Sequence, residues 1–218
     1  MTEKKTILFD LDGTLTDPKI GITRSVQYAL RKFDIIIDDP DTLCCFIGPP
    51  LKESFIKYFE LSDADGEKAV EYYREYYRPT GIFENAVYDG IPEMLAALKA
   101  AGKQIALATS KPTVFARQIL EHFNLDSYFD VIVGSELDGR RVIKAEVVAC
   151  ALEECGCDKA DAVMVGDRYH DIVGGKENNL ATIGVLFGYG DRSEMESHGA
   201  DVICETVAEL QAVLLGNW

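Results

Sequence analysis

Basic residues are scarce in this chain. There are 22 Lys and Arg against 37 Asp and Glu in 218 residues, a formal net charge of −15. Such a surface repels phosphate backbones and anionic lipid, which argues against nucleic-acid polymers and membrane surfaces as partners. A small anion is still admissible wherever one cation reverses the local sign. No run approaches the roughly 20 apolar residues of a membrane span. Met1–Lys5 is polar, and no apolar stretch of signal-peptide length precedes Asp10, so a cytoplasmic location is expected. Cysteines stand at 44, 45, 150, 155, 157 and 204, without a C-x-x-C pair. The Cys155-x-Cys157 spacing does not suit structural zinc, and unpaired thiols in a reducing compartment are expected. "FGYGDRSE" at 187–194 has glycines but no G-x-G-x-x-G, which argues against a dinucleotide cofactor. D10-L-D12-G and D63-A-D65-G are not calcium loops of the EF-hand type. Each has its glycine at the fourth position instead of the sixth, and no glutamate at the twelfth. Internal repeats and low-complexity tracts are also absent.

What is present is the patterning of a globular chain, 47% hydrophobic and 27% charged. Its length allows one large domain, or one domain carrying a smaller insert. Short apolar runs at Ile7–Phe9, Gln104–Ala108, Val131–Val133, Ala162–Val165 and Thr182–Phe187 read as buried strands, with Val202–Cys204 a candidate sixth. Helical patterns at Pro92–Ala101, Pro112–Phe123, Lys144–Glu154 and Asp171–Asn178 alternate with them. Alternation of this kind predicts an α/β fold with a mainly parallel sheet covered on both faces. Residues 16 to 84 break the rhythm with consecutive helices at Ile22–Phe33, Leu51–Phe59 and Glu67–Tyr77. The expected division is a Rossmann-like core of residues 1–15 and 85–218 and a small all-helical cap of residues 16–84.

Ligands of open parallel sheets collect at the carboxyl ends of the strands. Asp10 and Asp12 follow the first strand, Thr109, Ser110 and Lys111 the second, and Asp167 to Asp171 the fourth; Lys144 opens the helix after the third. Carboxylates are hard oxygen ligands suited to Mg²⁺, while a hydroxyl and an ammonium can hold phosphate oxygens. Each piece has an ordinary reading as well. Asp10 and Asp12 could be a solvated strand end, Thr109 and Ser110 a helix cap, and Lys144 a surface lysine. Only their convergence on one edge favours chemistry. An ionised aspartate could attack phosphorus without a base to activate it, provided a cation screens it from the phosphate. A second carboxylate two residues on could serve as acid and base.

In order, D10-L-D12-G-T14-L-T, L107-A-T109-S, Lys144 and G166-D167-R168-Y-H-D171 resemble the four motifs of the haloacid dehalogenase superfamily. The resemblance covers nearly the whole chain. It implies a Mg²⁺-dependent phosphatase of small phosphate monoesters that works through an aspartyl phosphate. Asp10 would be the nucleophile and Asp12 the general acid and base. Thr109, Ser110 and Lys144 would bind the phosphoryl group. Asp10, Asp12 (through its backbone carbonyl) and Asp167 would hold the metal, with Asp171 supporting it from close by. Residues 16–84 match the helical cap of the phosphoglycolate phosphatase and 5′-nucleotidase branches. There the cap closes over the ester, and the implied substrates are 2-phosphoglycolate and nucleoside 5′-monophosphates. Two positions depart from the usual pattern: Ala145 follows Lys144 where many relatives have Pro, and Ser110 stands where Asn is common.

"FIGPPLKESF" at 46–55 resembles the cap segment that faces substrate, so Lys52 is either a substrate contact or a solvated lysine. Tyr72, Tyr73, Tyr76 and Tyr77 share one helical face, which is read as core in preference to a nucleobase platform. His170 is read as packing. A β-phosphoglucomutase-like phosphotransferase on the same core is the alternative activity. A dehalogenase is disfavoured because relatives with that chemistry usually lack the acid corresponding to Asp12. The chain is expected to act as a monomer or homodimer.

Overall fold

The apolar run before Asp10 forms β1 (Thr6–Phe9), all four of whose residues are buried. The computed structural model describes residues 4–216. β2 (Thr16–Asp17) and β3 (Ala86–Val87) pair as a short ribbon flanking the helical segment. β4 (Gln104–Pro112), β5 (Val131–Ser135), β6 (Ala162–Gly166), β7 (Ala181–Val185) and β8 (Val202–Cys204) complete the main sheet. Its order is β5-β4-β1-β6-β7-β8, and every pairing is parallel. The chain winds outward from β1 to β5, then returns to β6 on the other side. The order therefore reverses at β1, where doubly wound sheets gather ligands. Phe9 lies opposite Leu107 on one flank and Val165 on the other, so the ends of β1, β4 and β6 emerge side by side.

Both faces of the sheet are covered, by the helices that alternate with the strands. These are α4 (Ile91–Ala100), α5 (Thr113–His122), α6 (Lys144–Cys155), α7 (Tyr169–Glu177), α8 (Arg192–Ser197) and α9 (Val207–Leu214) in chain order after the insert's α1 to α3. Leu8, Ala106, Ala108 and Met164 pack with Val147, Val148 and Ala151 of α6. The alternate residues Ile7, Phe9, Ile105, Leu107, Val163 and Val165 are equally inaccessible. Burying each large aliphatic or aromatic side chain contributes about 1.5–3 kcal/mol, which is why the strands read as unbroken apolar runs.

Two compact units result: Asp17–Ala86, and the rest of the described chain. In the first, α1 (Lys19–Arg31), a 3-10 turn (Pro40–Phe46), α2 (Leu51–Phe59) and α3 (Asp63–Tyr77) surround their own core. Phe46 meets Phe55 edge-on at 4.9 Å between centroids. Two helices start earlier than the sequence predicts, at Lys19 instead of Ile22 and at Asp63 instead of Glu67. In both cases a glycine that reads as a breaker is inside the helix because something packs against it. Gly21 lies on the carbonyl of Gly81, and Gly66 on Ile56 and the Lys52 stem. The tyrosine stripe divides as amphipathicity requires. Tyr73 and Tyr77 are buried, while Tyr72 lies against Phe33 and the Tyr76 hydroxyl donates to Glu84.

None of the six cysteines is in a disulfide. Burial pushes the Cys155 thiol up to about 12 and Cys204 up to about 11, so neither is a thiolate at neutral pH. Among the described residues, no helix is long and apolar enough to cross a membrane.

Candidate active site

Asp10 is the first residue past β1, and its N–H still donates to the Val165 carbonyl at 2.9 Å. The backbone then folds tightly: the Leu11 carbonyl accepts from the N–H groups of Thr14, Leu15 and Thr16. Gly13 makes this turn possible with φ of +83°, and any Cβ there would collide with the Asp167 carboxyl. The turn thus presses the first motif directly onto the last.

Four carboxylates meet here with two ammonium groups. Lys144, at the start of α6, places Nζ 2.9 Å from Asp10 Oδ1 and 2.8 Å from Asp171 Oδ1. The same ammonium donates to the Ala108 carbonyl at 3.0 Å. Lys111, on the far end of β4, sets Nζ 2.8 Å from Asp12 Oδ2. Asp167 accepts from the Thr14 hydroxyl at 3.3 Å and from the Tyr189 N–H at 2.8 Å. Asp171 sits in the first turn of α7, where its Oδ2 accepts the Arg168 N–H at 3.0 Å. Thr109 is buried and its Oγ1 accepts the Lys111 N–H at 3.2 Å, while the Ser110 carbonyl accepts the Ser135 hydroxyl at 2.7 Å.

Four buried carboxylates against two buried ammonium groups leave two negative charges over. The titration of the acids reflects this excess. Burial raises Asp167 well above the usual carboxylate range, and the neighbouring Asp171 and Asp10 push the same way. Burial also raises Asp171 to about 6 against the opposing pull of Lys144, and raises Asp12 against the pull of Lys111. For Lys144 burial acts downward, but Asp10 and Asp171 overcome it and hold the ammonium charged. The site is thus poorly satisfied on its own.

A divalent cation fits the deficit. Oxygens of Asp10, Asp167 and Asp171 all lie within 4.8 Å of one another. Oδ1 atoms of Asp10, Asp12 and Asp171 are buried without a hydrogen-bond partner, the first and third having the Lys144 ion pair beside them. All-oxygen, carboxylate-rich ligation suits Mg²⁺. Asp171, expected beside the metal, lies with Asp10 and Asp167 in this cluster. The Asp12 carboxylate contributes no oxygen there.

Of the residues expected in the sheet unit, Asp10, Asp167, Asp171 and Lys144 meet at this edge, Asp12 is joined to Lys111, and Thr109 and Ser110 lie in the same end of β4. Lys52 belongs to the helical unit, where its Nζ lies 2.8 Å from Asp63 and 2.9 Å from Glu67. His170 has its ring 3.8 Å from that of Tyr169. Burial, aided by Arg168, lowers its pKa to about 4, so it is neutral at pH 7, and its Nδ1 is buried without a hydrogen-bond partner. Three participants were not singled out in the sequence. Thr14 and the Tyr189 N–H lack a signal beyond adjacency. Lys111 had one, because it is two residues from Thr109 and so falls on the same side of an extended strand.

The model of the haloacid dehalogenase-like hydrolases matches residues 7–185. A 5′-nucleotidase of Pseudomonas aeruginosa is 48% identical over 210 residues, covering 95% of this chain and 94% of that protein. A protein of Mycobacterium tuberculosis named tyrosine-protein kinase PtkA is 37% identical over 210 residues, 95% of this chain and 72% of its own length. Among solved structures, a predicted phosphatase from Clostridium acetobutylicum superposes with a TM-score of 0.95 at 48% identity, covering 98% of this chain and 99% of the other.

Proposed function

The chain belongs to the haloacid dehalogenase-like hydrolase family, and on that premise we propose a Mg²⁺-dependent phosphatase acting on nucleoside 5′-monophosphates. It is a phosphoric monoester hydrolase. One observation carries the reading: the buried excess of two negative charges at the carboxyl edge of β1, β4 and β6. The substrate class rests on the 48% identity to the 5′-nucleotidase over nearly the full length of both chains. Cysteines outside any disulfide agree with a cytoplasmic location.

Asp10, Asp167 and the Asp12 backbone carbonyl would hold the metal, with Asp171 beside them. When bound, Mg²⁺ would neutralise nucleophile and phosphate and act as a template for a phosphate oxygen. Asp10, held by the Lys144 ammonium at 2.9 Å, attacks phosphorus through a carboxylate oxygen. Thr109 and Lys144 donate to the remaining phosphoryl oxygens. Asp12 gives a proton to the departing alkoxide, then takes one from the water that cleaves the aspartyl phosphate. Its raised pKa suits the first role and its ion pair with Lys111 the second.

The test is phosphate release from a panel of esters, with Mg²⁺ and with EDTA. Nucleoside 5′-monophosphates should be hydrolysed fastest, ahead of 2-phosphoglycolate, and EDTA should stop all turnover. Release that ignores EDTA would remove the metal from the scheme. Transfer to a sugar phosphate in preference to water would indicate the mutase alternative.

A further inference from the structure

We infer that Lys111 is a positioning residue for the leaving-group proton: by holding Oδ2 of Asp12, it leaves Oδ1 as the oxygen that gives and takes that proton. This rests on the phosphatase reading above, in which Asp12 is the acid and base. The Lys111 ammonium lies 2.8 Å from Oδ2, with the two side chains only 6% and 12% exposed. Oδ1 of the same carboxyl is buried with no hydrogen-bond partner. Asp12 contributes no oxygen to the cluster of Asp10, Asp167 and Asp171. A carboxylate tethered through one oxygen cannot turn toward that cluster without breaking the ion pair. The tether therefore separates two tasks among neighbouring acids. Asp10 stays with Asp167 and Asp171 in the cluster, and Asp12 is kept for the proton.

The anchor itself is braced. Lys111 lies within the stretch from Ala108 to Pro112 over which the register of β4 shifts against β5. Its N–H donates to Thr109 Oγ1, and the preceding carbonyl, of Ser110, accepts from Ser135. On the other side, the Lys111 carbonyl rests against the Cα of Gly134, where a Cβ would collide with it. Strand β5 thus supports the displaced end of β4 at the residue that carries the ammonium.

In the first step a bond forms between an Asp10 oxygen and phosphorus while the ester P–O bond breaks. Its electron pair goes to the leaving oxygen, and the Asp12 Oδ1 proton follows. In the second step Oδ1 takes a proton from water as the water oxygen bonds phosphorus and the Asp10 O–P bond opens. An alkoxide depends on that proton, whereas p-nitrophenolate departs without it.

The experiment measures the first turnover, by rapid quench with Mg²⁺, of a nucleoside 5′-monophosphate and of p-nitrophenyl phosphate. Lys111→Met should slow nucleoside release about 100-fold while nitrophenolate release changes less than about 3-fold, as loss of a placed general acid requires. KM for both esters and the thermal stabilisation by Mg²⁺ should be unchanged, and Lys111→Arg should recover most of the nucleoside rate. If Lys111→Met does not fold, Lys111→Gln is read in the same way. Equal slowing of both esters, a rise in KM alone, loss of the Mg²⁺ stabilisation, or no effect would each overturn the assignment while leaving the phosphatase reading in place. Absence of phosphate release from the parental protein with Mg²⁺ would overturn both.

Discussion

The two units of this chain treat buried polar groups in opposite ways. In the helical unit, the buried polar side chains among the described residues are Thr23, Ser25 and Ser54. Each hydroxyl donates to a carbonyl one turn back in its own helix, at Lys19, Gly21 and Pro50. The sheet unit buries Asp10, Asp12, Asp167, Asp171 and Lys144, with Oδ1 of Asp10 and of Asp171 sharing the one Lys144 ammonium and Oδ1 of Asp12 without a hydrogen-bond partner. Burial of an unsatisfied charge is costly, so an arrangement of this kind persists where a ligand completes it. The comparison teaches where chemistry resides: one unit is closed in its hydrogen bonding, and the other is open by two charges.

Removing the nucleophile should have the largest effect. Asp10→Asn is expected to lower turnover by about 10⁴-fold or more, as loss of a covalent nucleophile does. The fold should persist, because Lys144 keeps Asp171 as a partner. Steady-state assays beside circular dichroism check both halves. Next comes Lys144→Met, which fills the same space without the charge. It leaves Asp10 and Asp171 facing each other unpaired, and breaking a buried pair in this way costs about 3–5 kcal/mol. Urea unfolding at pH 7 without Mg²⁺ would measure it. A loss no greater than a surface substitution produces would erase the contrast between the units.

The same contrast has a pH signature. Asp171 is raised to about 6 in the folded protein from an ordinary value of 3.8, and Asp167 is raised as well. The folded state then binds more protons than the unfolded one between these values. The Asp171 contribution is fully present below about pH 4 and is lost as pH rises through about 6, and the raised Asp167 acts in the same direction. His170 acts oppositely: with its pKa lowered to about 4, its contribution is present above 6.5 and lost as pH falls through about 4. The acids outnumber it, so thermal melting of the metal-free protein should rise as pH is lowered from 7 to 5. Stabilisation by Mg²⁺ should grow over the same interval as pH is raised. A flat Mg²⁺ effect from pH 5 to 7 would mean that these acids do not compete for protons with the metal.

Much of this was legible in the sequence because its causes are local. A buried parallel strand has to be apolar on both faces, so the runs at 7–9, 104–108 and 162–165 stand out. Paired aspartates ending such a run gain meaning from the other motifs that end at the same sheet edge. What escaped was nonlocal. β4 continues to Pro112, because its end is carried past a register shift by β5, and only this extension brings Lys111 to Asp12. Likewise α7 opens at Tyr169, two residues before the predicted start. That puts Asp171 in its first turn, bound back to the Arg168 N–H and turned into the acid cluster. The early starts of α1 and α3 were hidden by glycines whose missing side chains are explained only by tertiary neighbours.

The smallest effect should come from the helical unit, at Lys52. Its place in "FIGPPLKESF" made it a candidate to meet substrate, yet Asp63 and Glu67 already share its ammonium. An exposed pair of this kind stabilises little, since solvent and salt screen it and ordering the side chains opposes it. Lys52→Met should therefore leave the unfolding midpoint unchanged. To bind an anionic ester, the ammonium would have to exchange two carboxylates for one phosphate oxygen or sugar hydroxyl, which brings little net attraction. The expected change in kcat/KM is less than about 2-fold for every ester in the panel, because a screened surface charge contributes a few tenths of a kcal/mol. A reordering of the esters, with nucleoside monophosphates losing rate and p-nitrophenyl phosphate keeping it, would instead place Lys52 on the substrate. The helical unit would then share in recognition through the one lysine that two acids hold in place.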